Sequence, residues 1–61
     1  MNRDTIIATY ERIEDADGGI TQADLLRVQE KTLAELRVID PGFTMQELRV
    51  VLAAHWAGMQ G

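Results

Sequence analysis

The sequence predicts an all-α fold, a single domain over residues 1–61 with three helices at about residues 4–16, 22–38 and 45–57. Apolar residues recur at helical spacing in three segments, which are separated by two clusters of turn-forming residues. A helix-start pattern occurs twice, at residues 19–28 and 42–51. The 46% hydrophobic fraction is ample for a folded helical domain. We expect a short N-terminal helix followed by two longer, capped helices.

The first helix is predicted from Ile6, Tyr10 and Ile13, which recur on one face with charged residues on most of the remaining arc. Asp17 and the two glycines that follow it are expected to end this helix, because consecutive glycines favour turn conformations that a helix interior penalises. The result is a short amphipathic helix.

Capping patterns predict where the two longer helices begin. Thr44 is expected to cap free backbone N–H groups while Glu47, three residues on, reaches back toward the cap. Phe43 and Leu48 flank this box as a hydrophobic staple. A shorter-armed version of the pattern opens the second helix, at Ile20, Thr21, Asp24 and Leu25.

The second helix presents one broad apolar face and is expected to end before Pro41, which cannot donate the next backbone hydrogen bond. Gln29 and Thr32 fall within that face. Gln29 either fixes the register of a paired helix or lies at the edge of the core and reaches water. The predicted apolar face consists of Leu25, Leu26, Val28, Leu33, Leu36 and Ile39.

The third helix is apolar almost all round. Its bulky stripe contains Trp56 and also His55, its opposite side carries small residues, and Gly58 is expected to cap its end. The other two helices offer little surface with which to cover both sides of the third, and the core of a 61-residue chain is marginally stable alone. We therefore expect a homodimer. The residues expected at its interface are Gln29, Leu33, Val50, Ala53, Ala54, His55, Trp56 and Ala57.

The first turn resembles the loop of EF-hand and dockerin-type calcium modules. Asp15, Asp17 and Asp24 would stand at ligand positions three, five and twelve, with Gly18 as the required glycine. Position one falls on Ile13, which cannot coordinate a cation. The sequence therefore predicts an acidic turn before a capped helix and no metal site, with a degenerate calcium-responsive module as an alternative function.

Catalysis and nucleic-acid binding are not expected. His55 has no second histidine, cysteine or serine beside it, although Tyr10, Glu11 or Glu14 would be its acid–base partners, so we expect no enzyme and no cofactor. A net charge of −4 opposes binding to phosphate backbones, and the five arginines form no stripe. A small helical DNA-binding regulator remains the second alternative, because residues 20–36 resemble the opening of helix-turn-helix domains.

The remaining hypothesis is a small acidic interaction protein that regulates or inhibits another macromolecule by occupying its surface, and we expect that macromolecule to be a protein. Glu11, Glu14, Asp15 and Asp17 are candidates for an acidic surface facing a basic partner, against the simpler interpretation of a solvated turn. By analogy, so small a chain suits a regulator, an antitoxin-like inhibitor or a phage or mobile-element protein. With no apolar leader or span, we expect a cytoplasmic protein without membrane contact.

Overall fold

In the computed structural model, residues 1–17 and 22–59 are described and form three α-helices with no strand among them. Helix α1 spans Arg3–Asp17, α2 spans Gln22–Ile39 and α3 spans Met45–Met59. The predicted all-α, three-helix class is thereby confirmed. Each predicted helix is present, and each extends one or two residues beyond the predicted bounds.

Two expectations about helix ends were wrong. The first helix is not the short one, since α1 and α3 have 15 residues each and α2 has 18. Asn2 explains the earlier start of α1, because its side-chain oxygen accepts a hydrogen bond from the Thr5 backbone N–H at 2.8 Å and so caps the helix. Gly58 does not end α3, which continues through it to Met59; a single glycine lowers helix propensity without forbidding the helix.

The N-terminus of α3 is built as the sequence predicts. The Thr44 hydroxyl oxygen accepts from the Glu47 backbone N–H at 3.2 Å, and the same hydroxyl donates to Glu47 Oε1 at 3.1 Å. Phe43 and Leu48, the predicted staple, both lie in the buried core. The corresponding cap at Thr21 and the staple partner Ile20 lie outside the described residues.

The turn between α2 and α3 is closed by three hydrogen bonds around Asp40. Its backbone N–H donates to the Leu36 carbonyl at 2.9 Å, and its own carbonyl accepts from Phe43 N–H at 3.0 Å. Its carboxylate accepts from the Gly42 N–H at 3.2 Å. These bonds satisfy backbone groups of the turn after the helix is interrupted by Pro41, so α2 ends at Ile39, before Pro41 as predicted and one residue beyond the predicted bound.

Contacts between the helices show their relative directions. Arg12 pairs with Glu35, and Asp17 pairs with Lys31, so α2 runs back along α1. Tyr10 contacts Trp56, so α3 returns in the direction of α1, with the chain's N-terminus near the start of α3. One core joins all three helices; its buried apolar members are Ile6, Tyr10, Ile13, Val28, Leu36, Phe43, Leu48 and Leu52.

Burial along α2 differs from the predicted face in two places. Leu26 is 45% exposed and Ile39 is 63% exposed. Leu26 lies at the edge of the apolar arc, and Ile39 is the last residue of α2, where the covering helices no longer reach. Within the arc, Thr32 is fully buried and its hydroxyl donates to the Val28 carbonyl at 2.7 Å, which satisfies it inside an apolar environment.

Tyr10 is buried together with its polar hydroxyl group. Its ring meets Trp56 edge to face, with centroids 5.9 Å apart and planes at 70°. Its hydroxyl is buried and has no hydrogen-bond partner among the described residues; Glu14, one turn further along α1, acts on it through its charge. The pKa of Tyr10 is raised to about 12, mainly because the hydroxyl is buried and secondly because of the negative charge of Glu14.

Replacing Thr44 tests the cap of α3. Thr44→Ala removes the acceptor for the Glu47 N–H and is expected to lower the free energy of unfolding by about 1 kcal/mol, or roughly 5 °C in Tm. Thr44→Ser keeps the hydroxyl and should remain within a few tenths of a kcal/mol of the wild type. Thermal and urea unfolding followed by circular dichroism measure both; an alanine variant as stable as the serine variant would contradict the cap.

Alkaline pH tests the burial of Tyr10. Since the folded-state pKa lies above the unfolded value of 10.0, the folded state holds this proton more tightly, and stability is lost as pH rises from about 10 to about 12. The loss should reach up to about 3 kcal/mol. Tyr10→Phe should lack this component of the alkaline loss and be at least as stable at neutral pH, because it removes an unsatisfied hydroxyl.

The titration can be followed directly, because Tyr10 is the chain's only tyrosine and its tyrosinate absorbance reports one site. Ionisation of Tyr10 near pH 10 in the folded protein, or an equal alkaline loss in Tyr10→Phe, would contradict the assignment.

Candidate functional site

One side of α3 is exposed and almost uncharged. Val50 is 63% exposed, and the small residues beside it on the helix are exposed as well. Positions 46, 50, 53, 54 and 57 fall on one side of a helix with 3.6 residues per turn, opposite the buried Leu48 and Leu52. We call this surface the α3 outer face; it consists of Gln46, Val50, Ala53, Ala54 and Ala57.

The other residues predicted at the interface lie elsewhere. Gln29 is 8% exposed and offers little surface to a partner. Leu33 and Trp56 are half-buried and pack against the core. His55 is half-buried on the side of α3 that faces α1. The structure thus brings together four of the eight predicted interface residues, all on α3, and separates them from the other four.

The four acidic residues predicted to form one surface are in different environments. Asp17 lies at the end of α1 and accepts from Lys31 at 3.1 Å, with Arg27 at 3.4 Å. Glu14 is half-buried near Tyr10. Glu11 and Asp15 remain exposed. Of the four, only Glu11 and Asp15 are therefore exposed as expected for an acidic surface.

A third carboxylate that the sequence analysis did not include joins them. Asp4, Glu11 and Asp15 are spaced seven and four residues apart, so they follow one exposed stripe of α1. Helical spacing of the carboxylates indicates this stripe, whereas Glu11, Glu14, Asp15 and Asp17 are close in sequence but do not share one side of the helix. The exposed acidic stripe of α1 is therefore Asp4, Glu11 and Asp15.

The candidate calcium ligands are engaged differently from those of a calcium loop. Asp15 and Asp17 are in α1, since the helix continues to Asp17. Asp24 accepts from Arg27 Nη2 at 2.6 Å. In the parts of the chain that are described, no group of three or more His, Cys, Asp or Glu side chains is placed to hold a metal ion. The first turn itself, residues 18–21, lies outside those parts.

Asp17 joins α1 to α2 electrostatically. A hydrogen bond from Lys31 first, and the charges of Lys31 and Arg27 next, hold the pKa of Asp17 below its ordinary value of 3.8. A second pair, Arg12 with Glu35, joins the same two helices. The pairs of Asp17 with Lys31 and Arg27 balance a carboxylate at the C-terminal end of α1, where the helix dipole alone disfavours negative charge.

Internal contacts use much of the positive charge. Arg12 and Arg27 are in ion pairs, and Arg37 Nε donates to the Phe43 carbonyl at 2.8 Å. Helix α2 also runs from Gln22 to Ile39 without the interruption that a helix-turn-helix unit requires. Arg12, Arg27 and Arg37 thus take part in contacts within the fold.

A groove follows the seam between α1 and α3. Near the start of both helices is a cavity of about 570 Å³, whose lining includes Met1, Ile6 and Val51. The next cavity along the seam, about 440 Å³, includes Ile7 and His55 in its lining. We call the two together the α1–α3 groove. His55 and Glu11 share its second cavity, whereas the hydroxyl of Tyr10 is buried without a partner.

Within the described residues, no helix has the length and apolar character needed to cross a membrane.

Asp17→Asn tests the link between α1 and α2. Because the folded-state pKa of Asp17 is depressed, its contribution to stability is present above the unfolded pKa and is lost as pH falls through the folded pKa. The variant should be less stable than the wild type near neutral pH and should lose part of the acid and salt dependence of Tm. Asp15→Asn, an exposed neighbour, is the matched control and should change neither; equal behaviour of the two variants would contradict the link.

Comparison of the chain with protein-family models, with curated proteins and with solved structures found no match.

Proposed function

We propose that this chain is a small protein-interaction module that regulates or inhibits another macromolecule by occupying its surface, and that it self-associates through the α3 outer face. The observation that carries the proposal is the exposure of Val50, Ala53, Ala54 and Ala57 on one uncharged helix face. Isolated exposed apolar residues are ordinary, whereas several on one face favour an interface.

Residue size on this face favours two antiparallel copies of α3. With the two helices centred between Ala53 and Ala54, Val50 of one copy lies opposite Ala57 of the other, so the largest side chain meets a small one. In a parallel pair, Val50 would meet Val50 and hold the alanines apart. Small residues allow helix backbones to approach closely, and the antiparallel arrangement also aligns the helix dipoles favourably.

Charge supports self-association at this face more than elsewhere on the molecule. The outer face contains no ionised side chain, so two copies would bury no charge there. The acidic stripe of α1 would repel its own copy. Self-association through α3 also leaves that stripe available to a different, basic partner.

Oligomeric state tests the α3 outer face. Sedimentation equilibrium at micromolar concentration is expected to give about twice the 6.8 kDa of one chain, and Ala54→Glu should shift the mass toward the monomer because it buries an unpaired carboxylate. Ala34→Glu, at an exposed alanine of α2, is the matched control and should remain dimeric. A wild-type chain that sediments as a strict monomer, or equal dissociation of both variants, would overturn the self-association.

A further inference from the structure

The α1–α3 groove combines apolar surface with an acidic border. Its apolar lining includes Met1, which is 47% exposed, Val50, which is 63% exposed, and the half-buried Ile7 and Val51. The N-terminal residues that line the two cavities range from Met1 to Glu11, about 15 Å at the rise of an α-helix. The groove therefore presents an elongated apolar surface, three helical turns in length.

The charged residues of the groove are mainly of one sign. Asp4 and Glu11 contribute carboxylates from α1, while Asp40 and Glu47 contribute them near the start of α3. Arg3 and His55 are the basic residues among the lining side chains of these two cavities. Carboxylates on both sides of an apolar groove are complementary to a partner that carries apolar residues on one face and cations on its flanks.

We propose that the α1–α3 groove binds a basic amphipathic helix of a partner protein. This inference rests on the proposed role as an interaction module and identifies the chemistry of its partner. A second copy of this chain is a poor occupant, because its net charge is −4 and it would bring further carboxylates to the same border. A nucleic acid would meet the same repulsion from its phosphates.

The binding follows from two separable contributions. Apolar side chains one and two turns apart on the partner helix would fill the cavities beside Val51 and Ile7, which removes apolar surface from water. Lysine or arginine residues on its flanks would face Asp4 and Glu11, and these exposed pairs would direct orientation and speed of association more than they raise affinity.

Three synthetic peptides of about 16 residues, roughly four helical turns, separate these contributions. The first has leucines at i, i+3, i+4 and i+7 with lysine and arginine on the flanks; the second has the same leucines with glutamate flanks. The third has the composition of the first with its leucines distributed round the helix. Binding to the full-length chain is followed by amide chemical shifts, and we expect only the first peptide to saturate, with shifts centred on Ile7, Glu11, Val51 and His55.

Substitution of the border tests the charge contribution. The double variant Asp4→Asn/Glu11→Gln should weaken binding of the first peptide about fivefold and reduce its salt dependence, since each exposed pair contributes modestly. Glu30→Gln, an exposed carboxylate of α2, is the matched control and should bind as the wild type does. Circular dichroism confirms that each variant is folded.

Several results would overturn the proposal. Equal binding of the first and third peptides would show that the acidic chain attracts any basic peptide without an apolar face being needed. Equal binding of the first and second peptides would show that the acidic border plays no part. Gln46 and Val50 belong to the lining of the groove as well as to the α3 outer face. Shifts centred on Ala53, Ala54 and Ala57 or on α2 would therefore place the site elsewhere. Sedimentation and peptide binding of the wild-type chain separate the two proposals. A dimer that does not bind the first peptide overturns the groove inference and leaves self-association standing, and a monomer that binds the first peptide gives the converse.

Discussion

The fold depends on burying one small apolar core to which all three helices contribute. Helices of 15 to 18 residues are marginal when isolated in water, because helix nucleation is costly and each backbone bond gains little. Leu36, Leu48 and Leu52 are fully buried, and they come from two different helices, with Tyr10 of α1 packed among the same group. No helix can leave this core without exposing residues of the other two, so packing and helix formation are coupled.

The helices are joined by different kinds of interaction. Ion pairs from Arg12 and Asp17 link α1 to α2, where both helices are amphipathic and carry charges along their contact edges. Helix α3 instead contributes Leu48, Leu52 and the half-buried Trp56 to the core, an apolar attachment that involves one side of the helix. The uncharged opposite side is then left at the surface, which is the basis of the proposed self-association.

The distribution of charge follows from the same packing. Arg12 and Arg27 are in ion pairs at the surface of the fold, and Arg37 donates to a backbone carbonyl, so these three cations are engaged within the chain. Negative charge remains on the exposed stripe of α1 and along the groove beside α3. The carboxylates of Asp4, Glu11, Asp40 and Glu47 line the groove, and this local excess of negative charge is the reason a basic partner is proposed for it.

The sequence by itself determined the number of helices and located their ends to within one or two residues, because these depend on local chemistry. The cap at Thr44, the stop at Pro41 and the periodicity of Ile6, Tyr10 and Ile13 act within a few residues. It also identified the small face of α3 from spacing alone. Packing decided what local pattern cannot: Leu26 and Ile39 are apolar but exposed, and Gln29 is polar but buried, because burial depends on where the other helices lie. Tertiary structure likewise paired Asp17 with Lys31 and brought the apolar residues of α1 and α3 together in a groove, since these contacts join residues far apart in the chain.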